Sequence, residues 1–358
     1  METFAFLIHP MDIDHVVKKY KIAKKVSPKM LESVLKRRRP FVLNEITGIR
    51  SKTGIEATGW FIAVPFLPHQ FTELDEDYVI EKIVKACEVG KKEGAKIVGL
   101  GAFTAIPGGG GKLVAEASSI PVTTGNTYTA VLANEGAKEA ARKMGIDIGS
   151  STLAVVGATG SIGSVSAEVL AGEFANIILI GRDKARLEKV KERVVKLNDN
   201  VTISTDLTAV KDADVLITVT GAVDAVLHPE DIKPGAVVCD VARPRDVSEI
   251  LVKLRNDVLV IDGGVARVPG NADLGKYPGL PKGIALGCMA ETFMLALEKR
   301  YENYTIGKDI SAEKVNEMSE IAKKHGFKLA GLRSFEKKLS EAHIAAVREN
   351  ARLKLPAV

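Results

Sequence analysis

The segment Gly157-Ala158-Thr159-Gly160-Ser161-Ile162-Gly163 directly follows the apolar run Leu153-Ala154-Val155-Val156 and directly precedes a helix-periodic stretch. Glycines so placed let the chain turn tightly, let backbone approach a pyrophosphate and let the helix pack closely on the strand. The helix start adds free N–H groups and positive potential. The spacing is G-x-x-G-x-x-G, so the flanking strands at βαβ distance carry the reading of a dinucleotide site, with a plain structural turn as the alternative. The next strand ends Ile178-Leu179-Ile180-Gly181-Arg182-Asp183. Arg182 stands about where an acid would bind the ribose 2′-hydroxyl of NAD, and Lys184 and Arg186 are near. A guanidinium there suits a 2′-phosphate, so NADPH is the expected cofactor. The alternative has Asp183 on the ribose. Thr220 and Gly221, at the end of the run 215–220, complete the cofactor set.

A second kind of chemistry could come from one of three cysteines. Cys239 lies within Val237-Val238-Cys239-Asp240-Val241, a strand pattern in which a thiol behaves as a small hydrophobe. Cys87 falls on the apolar stripe of a helix and reads the same way. Cys288 differs: it follows Gly287 and opens the run Met289-Ala290-Glu291-Thr292-Phe293-Met294. A helix N-terminus lowers a thiol pKa and favours the nucleophilic thiolate, although many cysteines at helix starts are structural. The scattered spacing of the three excludes a disulfide framework and a zinc site, and no metal is expected.

These residues need elements to place them. The expected class is α/β with two domains: a mixed α/β N-terminal domain and a Rossmann-like doubly wound parallel sheet. C-terminal helices are expected to pack back on the N-terminal domain. Residues 1–130 read as the N-terminal substrate domain. They hold strands near 4–8, an antiparallel pair at 41–49 and 58–65 around Lys52-Thr53-Gly54, a helix over 76–93 and a strand at 97–101. An alanine-rich helix over 126–145, ending at Gly145, reads as a link. Residues 150–283 read as the NADP-binding domain, with strands at 153–156, 177–180, 201–204, 215–220, 237–241 and 258–261, then a glycine- and proline-rich loop over 263–283. Residues 284–330 read as helices carrying Cys288, and 331–358 as a terminal helix or tail. The glycine run 107–111 before Lys112 lacks the spacing of a P-loop. It reads as a lid or as a backbone nest for a phosphate.

The whole-chain numbers bound these readings. The 358 residues exceed the ~250 to 300 at which one core stops growing. The 46% apolar and 27% charged residues are ordinary for a globular chain. No apolar run approaches the ~18 residues of a membrane span, and the N-terminus has no signal-peptide pattern, so a cytoplasmic protein is expected. The net charge of +5 gives no reason to expect a nucleic-acid partner. Its one local concentration is Lys36-Arg37-Arg38-Arg39.

Several segments together resemble a known family, the cyanobacterial-type long-chain fatty acyl-(acyl-carrier-protein) reductases, which form fatty aldehydes. They are Leu100-Gly101-Ala102-Phe103-Thr104-Ala105-Ile106, Thr123-Thr124-Gly125-Asn126-Thr127-Tyr128-Thr129-Ala130, the glycine turn with its strand, Ile261-Asp262-Gly263-Gly264-Val265, Cys288-Met289-Ala290-Glu291 and Lys324-His325-Gly326-Phe327. In order they cover about residues 4–330. The resemblance implies that Cys288 attacks a thioester carbonyl, that the acyl chain is held as an acyl-enzyme, and that NADPH reduces it to an aldehyde.

The Thr123–Asn126 turn then offers donors for the developing oxyanion, with Thr124 and Asn126 the named candidates. They serve equally as N-caps of the following helix. Where cyanobacterial members have His after Thr-Gly-Asn-Thr, this chain has Tyr128, a phenol in place of an imidazole. The implied partner is an acyl carrier protein or coenzyme A thioester, for which Lys36–Arg39 is a candidate docking site, and a homo-oligomer is possible. Two further readings stand beside this one. One is an NADP-dependent dehydrogenase of an amino acid or a shikimate-like hydroxy acid, and the other a non-catalytic dinucleotide-binding sensor.

Overall fold

The computed structural model describes residues 1–19, 26–222, 225–275, 280–308 and 310–354. Part of the expected 263–283 loop (276–279) and the last four residues of the tail lie outside the described residues. The chain forms two compact units: 1–125 with 268–309 and 320–327, and 126–267 with 310–319 and 328–358.

The first unit holds a mixed six-stranded sheet. Its strands are β1 (Glu2–Ile8), β2 (Phe41–Arg50), β3 (Glu56–Ala63), β4 (Val98–Leu100) and β5 (Val122–Thr123), with Gly270–Asp273 at one edge beside β2. β2 and β3 form the expected antiparallel hairpin, whereas β1 pairs parallel with both β3 and β4. The edge strand Gly270–Asp273 falls inside the stretch expected to be only loop. Glycine and proline punctuation there bounds short strands, and their pairing is set by a partner more than 200 residues away. The helix Glu76–Lys92 buries Val79, Ile83, Ala86, Cys87 and Gly90, the stripe its period predicts. Gly90 has no side chain because a β-carbon would lie 2.7 Å from the Ala5 β-carbon.

The helix Gly287–Leu297 also belongs to this unit, where its Phe293 ring meets Phe4 of β1 at 4.6 Å. The C-terminal segment thus packs back on the N-terminal sheet, as expected. Residues 108–111 form a left-handed turn, with φ from 64° to 79°, that leads into a helix ending at Ala117. An all-left-handed stretch is open only to glycine. The turn is tied down by Gly108 N–H donating to Glu76 Oε1 (2.9 Å) and Gly307 N–H donating to the Gly110 carbonyl (2.8 Å).

The second unit holds an all-parallel sheet of β6 (Thr152–Val156), β7 (Asn176–Ile180), β8 (Val201–Ser204), β9 (Val215–Thr218), β10 (Val237–Asp240) and β11 (Leu259–Asp262). The spatial order is β8-β7-β6-β9-β10-β11. In units of appearance that is 3-2-1-4-5-6, the doubly wound dinucleotide-binding order. Apart from the edge strand β8, the near-continuous burial of these strands fits a parallel sheet covered on both faces. The helix Asn126–Met144 packs on this sheet, burying Ala133, Ala137, Ala140 and Ala141. It ends at Gly145 with φ +80°, the expected glycine stop. Part of the expected tail is a helix, Glu341–Lys354, which buries Ile344, Val347 and Ala351 in the same core. Among the described residues no helix is long and apolar enough to cross a membrane.

Candidate active site

In the second unit, the glycine turn sits between the end of β6 and the helix Ser161–Leu170. Gly157 and Ala158 both donate to the Ile180 carbonyl (2.9 and 3.0 Å), which fixes the turn to the end of β7. Each outer glycine is required by close backbone. A β-carbon on Gly157 would lie 2.6 Å from the Val219 carbonyl oxygen, and one on Gly163 would lie 2.4 Å from the Gly157 oxygen. Gly160 caps the helix without a side-chain acceptor, so the first N–H groups of a ten-residue helix point out of the turn. This is the geometry of a phosphate site, and the residues present fit a dinucleotide. Ser161, Ile162, Thr159 and Gly160 are half-buried around it.

Beside β7, Arg182 and Arg186 are exposed. Asp183 is committed elsewhere: its Oδ1 accepts the Arg186 N–H (3.1 Å) and so N-caps the helix Lys184–Val194. Arg186 Nη2 donates to the Thr159 carbonyl (2.9 Å), which draws that guanidinium over the glycine turn. Across the crevice, the loop after β9 is held by a partner that sequence reasoning missed. Asp246 is fully buried and accepts both the N–H (2.8 Å) and the hydroxyl (2.5 Å) of Thr220. Asp240 at the end of β10 in turn accepts the N–H groups of Ala242 (3.0 Å) and Val247 (3.1 Å), folding the loop that bears Asp246. Burial pushes the Asp240 carboxyl up to about 6, partly opposed by Arg243 and reinforced by Asp246. Asp246 and Thr220 carry no sequence signal linking them, since 26 residues separate the pair.

The three cysteines differ in burial. Cys87 is fully buried, and burial pushes its thiol up to about 12. Cys239, in the second unit, is also fully buried and its thiol is likewise raised, chiefly by burial. Cys288 alone is part-exposed, and it is the second residue of the helix Gly287–Leu297. A thiolate there lies at the positive end of a helix.

The end of the Thr123–Gly125 turn lies against Cys288. Gly125, at φ +74°, is so close that a β-carbon would lie 2.2 Å from Cys288 Cα and 2.5 Å from its Cβ. The turn is built by hydrogen bonds: Thr124 N–H and hydroxyl both donate to the Thr305 carbonyl (2.9 and 3.0 Å). The hydroxyls of Thr123 (2.6 Å) and Thr305 (2.7 Å) both donate to Glu291 Oε1. Glu291 is fully buried in the Cys288 helix, and sequence reasoning missed it. The available signal was a carboxylate inside an otherwise apolar helix.

Asn126 and Tyr128 are on the helix of the second unit. Asn126 Nδ2 donates to Ser161 Oγ (3.0 Å), so its amide is engaged by the helix that follows the glycine turn. Tyr128 is buried, and burial, with Glu135 adding to it, raises its phenol well above the ordinary value. Thr124 is buried with both its N–H and hydroxyl directed at Thr305. Among the described residues no cluster of three or more His, Cys, Asp or Glu could hold a metal.

Comparison with known proteins finds partial likenesses. Residues 138–262 match the shikimate / quinate 5-dehydrogenase family model. The chain is 30% identical over 303 residues to aminotransferase PigE of a Serratia species, covering 83% of this chain and 35% of that protein. It therefore spans about a third of that relative's length. It is 28% identical over 308 residues to a long-chain acyl-(acyl-carrier-protein) reductase of Synechococcus elongatus, covering 80% of this chain and 87% of the relative. Among solved structures, L-tryptophan dehydrogenase from Nostoc punctiforme covers 98% of this chain at 12% identity and a TM-score of 0.41. Topology and the glycine turn together describe a Rossmann-like dinucleotide-binding unit.

Proposed function

We propose that the protein is an NADPH-dependent reductase that converts an acyl thioester, carried by an acyl carrier protein or coenzyme A, to an aldehyde through a Cys288 acyl-enzyme. The observation that carries this reading is the packing of Gly125 on Cys288, because it brings the Thr-Thr-Gly-Asn turn to the one part-exposed thiol. The Synechococcus relative, alike over most of both chains, supports it.

In this reading the Cys288 thiolate, favoured by its helix N-terminus, attacks the thioester carbonyl and the carrier thiol departs with a proton. Backbone N–H groups at the start of the Cys288 helix would serve as donors to the developing oxyanion. Bound NADPH supplies the hydride that takes the acyl group to the aldehyde level. Gly157, Ala158, Thr159, Gly160, Ser161, Ile162 and Gly163 would hold its pyrophosphate. Arg182 and Arg186 would hold the 2′-phosphate, a choice favoured by the use of Asp183 as a helix cap. Thr220 and Gly221 would line the opposite side of the cofactor. Reduction leaves a thiohemiacetal on Cys288, and its collapse returns the thiolate and frees the aldehyde.

A second reading, an NADP-dependent dehydrogenase of a hydroxy acid or amino acid, is favoured by the family match over 138–262. Cys288→Ala separates the two. The acyl-enzyme reading expects loss of aldehyde formation with NADPH binding retained, whereas NADP-dependent oxidation of a small hydroxy or amino acid at full rate in this variant establishes the second reading. NADPH binding without turnover of either substrate class would mark a dinucleotide sensor.

A further inference from the structure

Glu291 is fully buried one helical turn beyond Cys288, and the chemistry proposed above does not use it. Taking a carboxylate out of water is costly unless its oxygens are hydrogen-bonded, so its partners indicate its task. Oε1 accepts the hydroxyl protons of Thr123 (2.6 Å) and Thr305 (2.7 Å). A threonine hydroxyl has a single proton and two lone pairs. With its proton given to Glu291, the Thr123 oxygen has both lone pairs turned to the backbone. It accepts the N–H of Gly125 (3.4 Å) and the N–H of Thr305 (3.2 Å). Gly125 lies against Cys288, so the chain of contacts starts and ends on the same helix.

We propose that Glu291 is a positioning residue for Cys288. Its acceptor oxygen fixes the rotamer of the Thr123 hydroxyl, that hydroxyl anchors the Gly125 backbone, and Gly125 sets the surroundings of the thiol. The requirement is for an acceptor at this point and not for a negative charge. A charge acting alone, one turn from a thiol, would oppose thiolate formation. The inference rests on Cys288 being the nucleophile, but its test needs no acyl substrate.

The experiment is alkylation of Cys288 by iodoacetamide, measured as a second-order rate against pH, with the modified site read by peptide mass spectrometry and folding checked by thermal melting. Glu291→Gln keeps an acceptor oxygen and is expected to react at the wild-type rate or faster. Glu291→Leu lacks one and is expected to react about tenfold more slowly at neutral pH, with its profile displaced upward. Thr123→Val, which keeps the shape and loses the hydroxyl, is expected to match Glu291→Leu. The proposal is overturned if Glu291→Gln is as slow as Thr123→Val, or if Thr123→Val keeps the wild-type rate and profile. These two variants decide the matter even where Glu291→Leu fails to fold. Slowed alkylation in Thr123→Val, with no acyl adduct in any variant, supports the positioning role while removing the acyl-thioester reading.

Discussion

Gly125 and Cys288 are packed so closely that a methyl group on the glycine would stand 2.2 Å from the cysteine Cα. The glycine also holds a φ of +74°, where a side chain adds strain of about 1 kcal/mol or more. Gly125→Ala must therefore displace either the turn or the start of the Cys288 helix. Iodoacetamide alkylation of Cys288 in this variant should slow by about 100-fold, equivalent to about 2.7 kcal/mol. The melting temperature should fall modestly, and NADPH affinity, which depends on the other unit, should stay within about twofold of wild type.

Arg182 and Arg186 should set cofactor choice. Arg182→Ala and Arg186→Ala are each expected to weaken NADPH binding by about tenfold, the scale of one charge-assisted phosphate contact, and to leave NADH binding unchanged. Fluorescence titration with both nucleotides at low salt would show it. An equal loss for NADPH and NADH would instead place these side chains on the shared adenosine.

Asp240 supplies a pH test. Burial raises its carboxyl to about 6, above the ~3.9 of an unfolded aspartate. The native state therefore holds its proton more tightly than the unfolded chain. The stabilisation this gives is complete below about pH 4 and is lost as pH rises through about 6. Arg243, Asp246 and the nearby Arg245–Asp262 pair face the same cluster, so only a difference between variants isolates Asp240. Asp240→Asn should remove a decline on the order of 2 to 3 kcal/mol between pH 4 and 6.5, read as wild-type minus variant in urea unfolding.

The basic cluster is held firmly. The carbonyl of Lys36, at the end of the helix Pro28–Arg37, accepts from Lys82 Nζ (2.7 Å) and from the Tyr78 hydroxyl (2.8 Å). Met30 and Val34 are exposed on that helix beside Arg37. Reversing the charge of Arg37, Arg38 and Arg39 should raise KM for an acidic acyl carrier several-fold, more at low salt than at high, with little effect on NADPH. An unchanged KM would remove this surface from carrier docking.

The parallel sheet and its glycine turn were legible because strand, turn and helix each leave a local pattern, with buried strands as apolar runs and glycines at fixed offsets. The sorting of the cysteines was legible for the same reason, since Cys87 and Cys239 sit inside apolar periodicities and Cys288 at a helix start. What stayed hidden depends on chain segments that meet only after folding. The Asp246–Thr220 bonds, the paired threonines on Glu291 and the edge strand Gly270–Asp273 beside β2 join residues far apart in sequence. Asn126 was expected to serve as an oxyanion donor or helix cap, yet its amide meets Ser161. Only the spatial neighbour could reveal that, because an asparagine at a helix start fits several roles equally.

The central claim is that Cys288 carries the acyl group. Its most direct test is intact-protein mass spectrometry after incubation with a panel of acyl carrier protein and coenzyme A thioesters, followed by peptide mapping and then by addition of NADPH. The account predicts a single acyl adduct on Cys288, absent in Cys288→Ala and discharged as aldehyde when NADPH is added. Aldehyde formation by Cys288→Ala, or an adduct confined to Cys87 or Cys239, would contradict it.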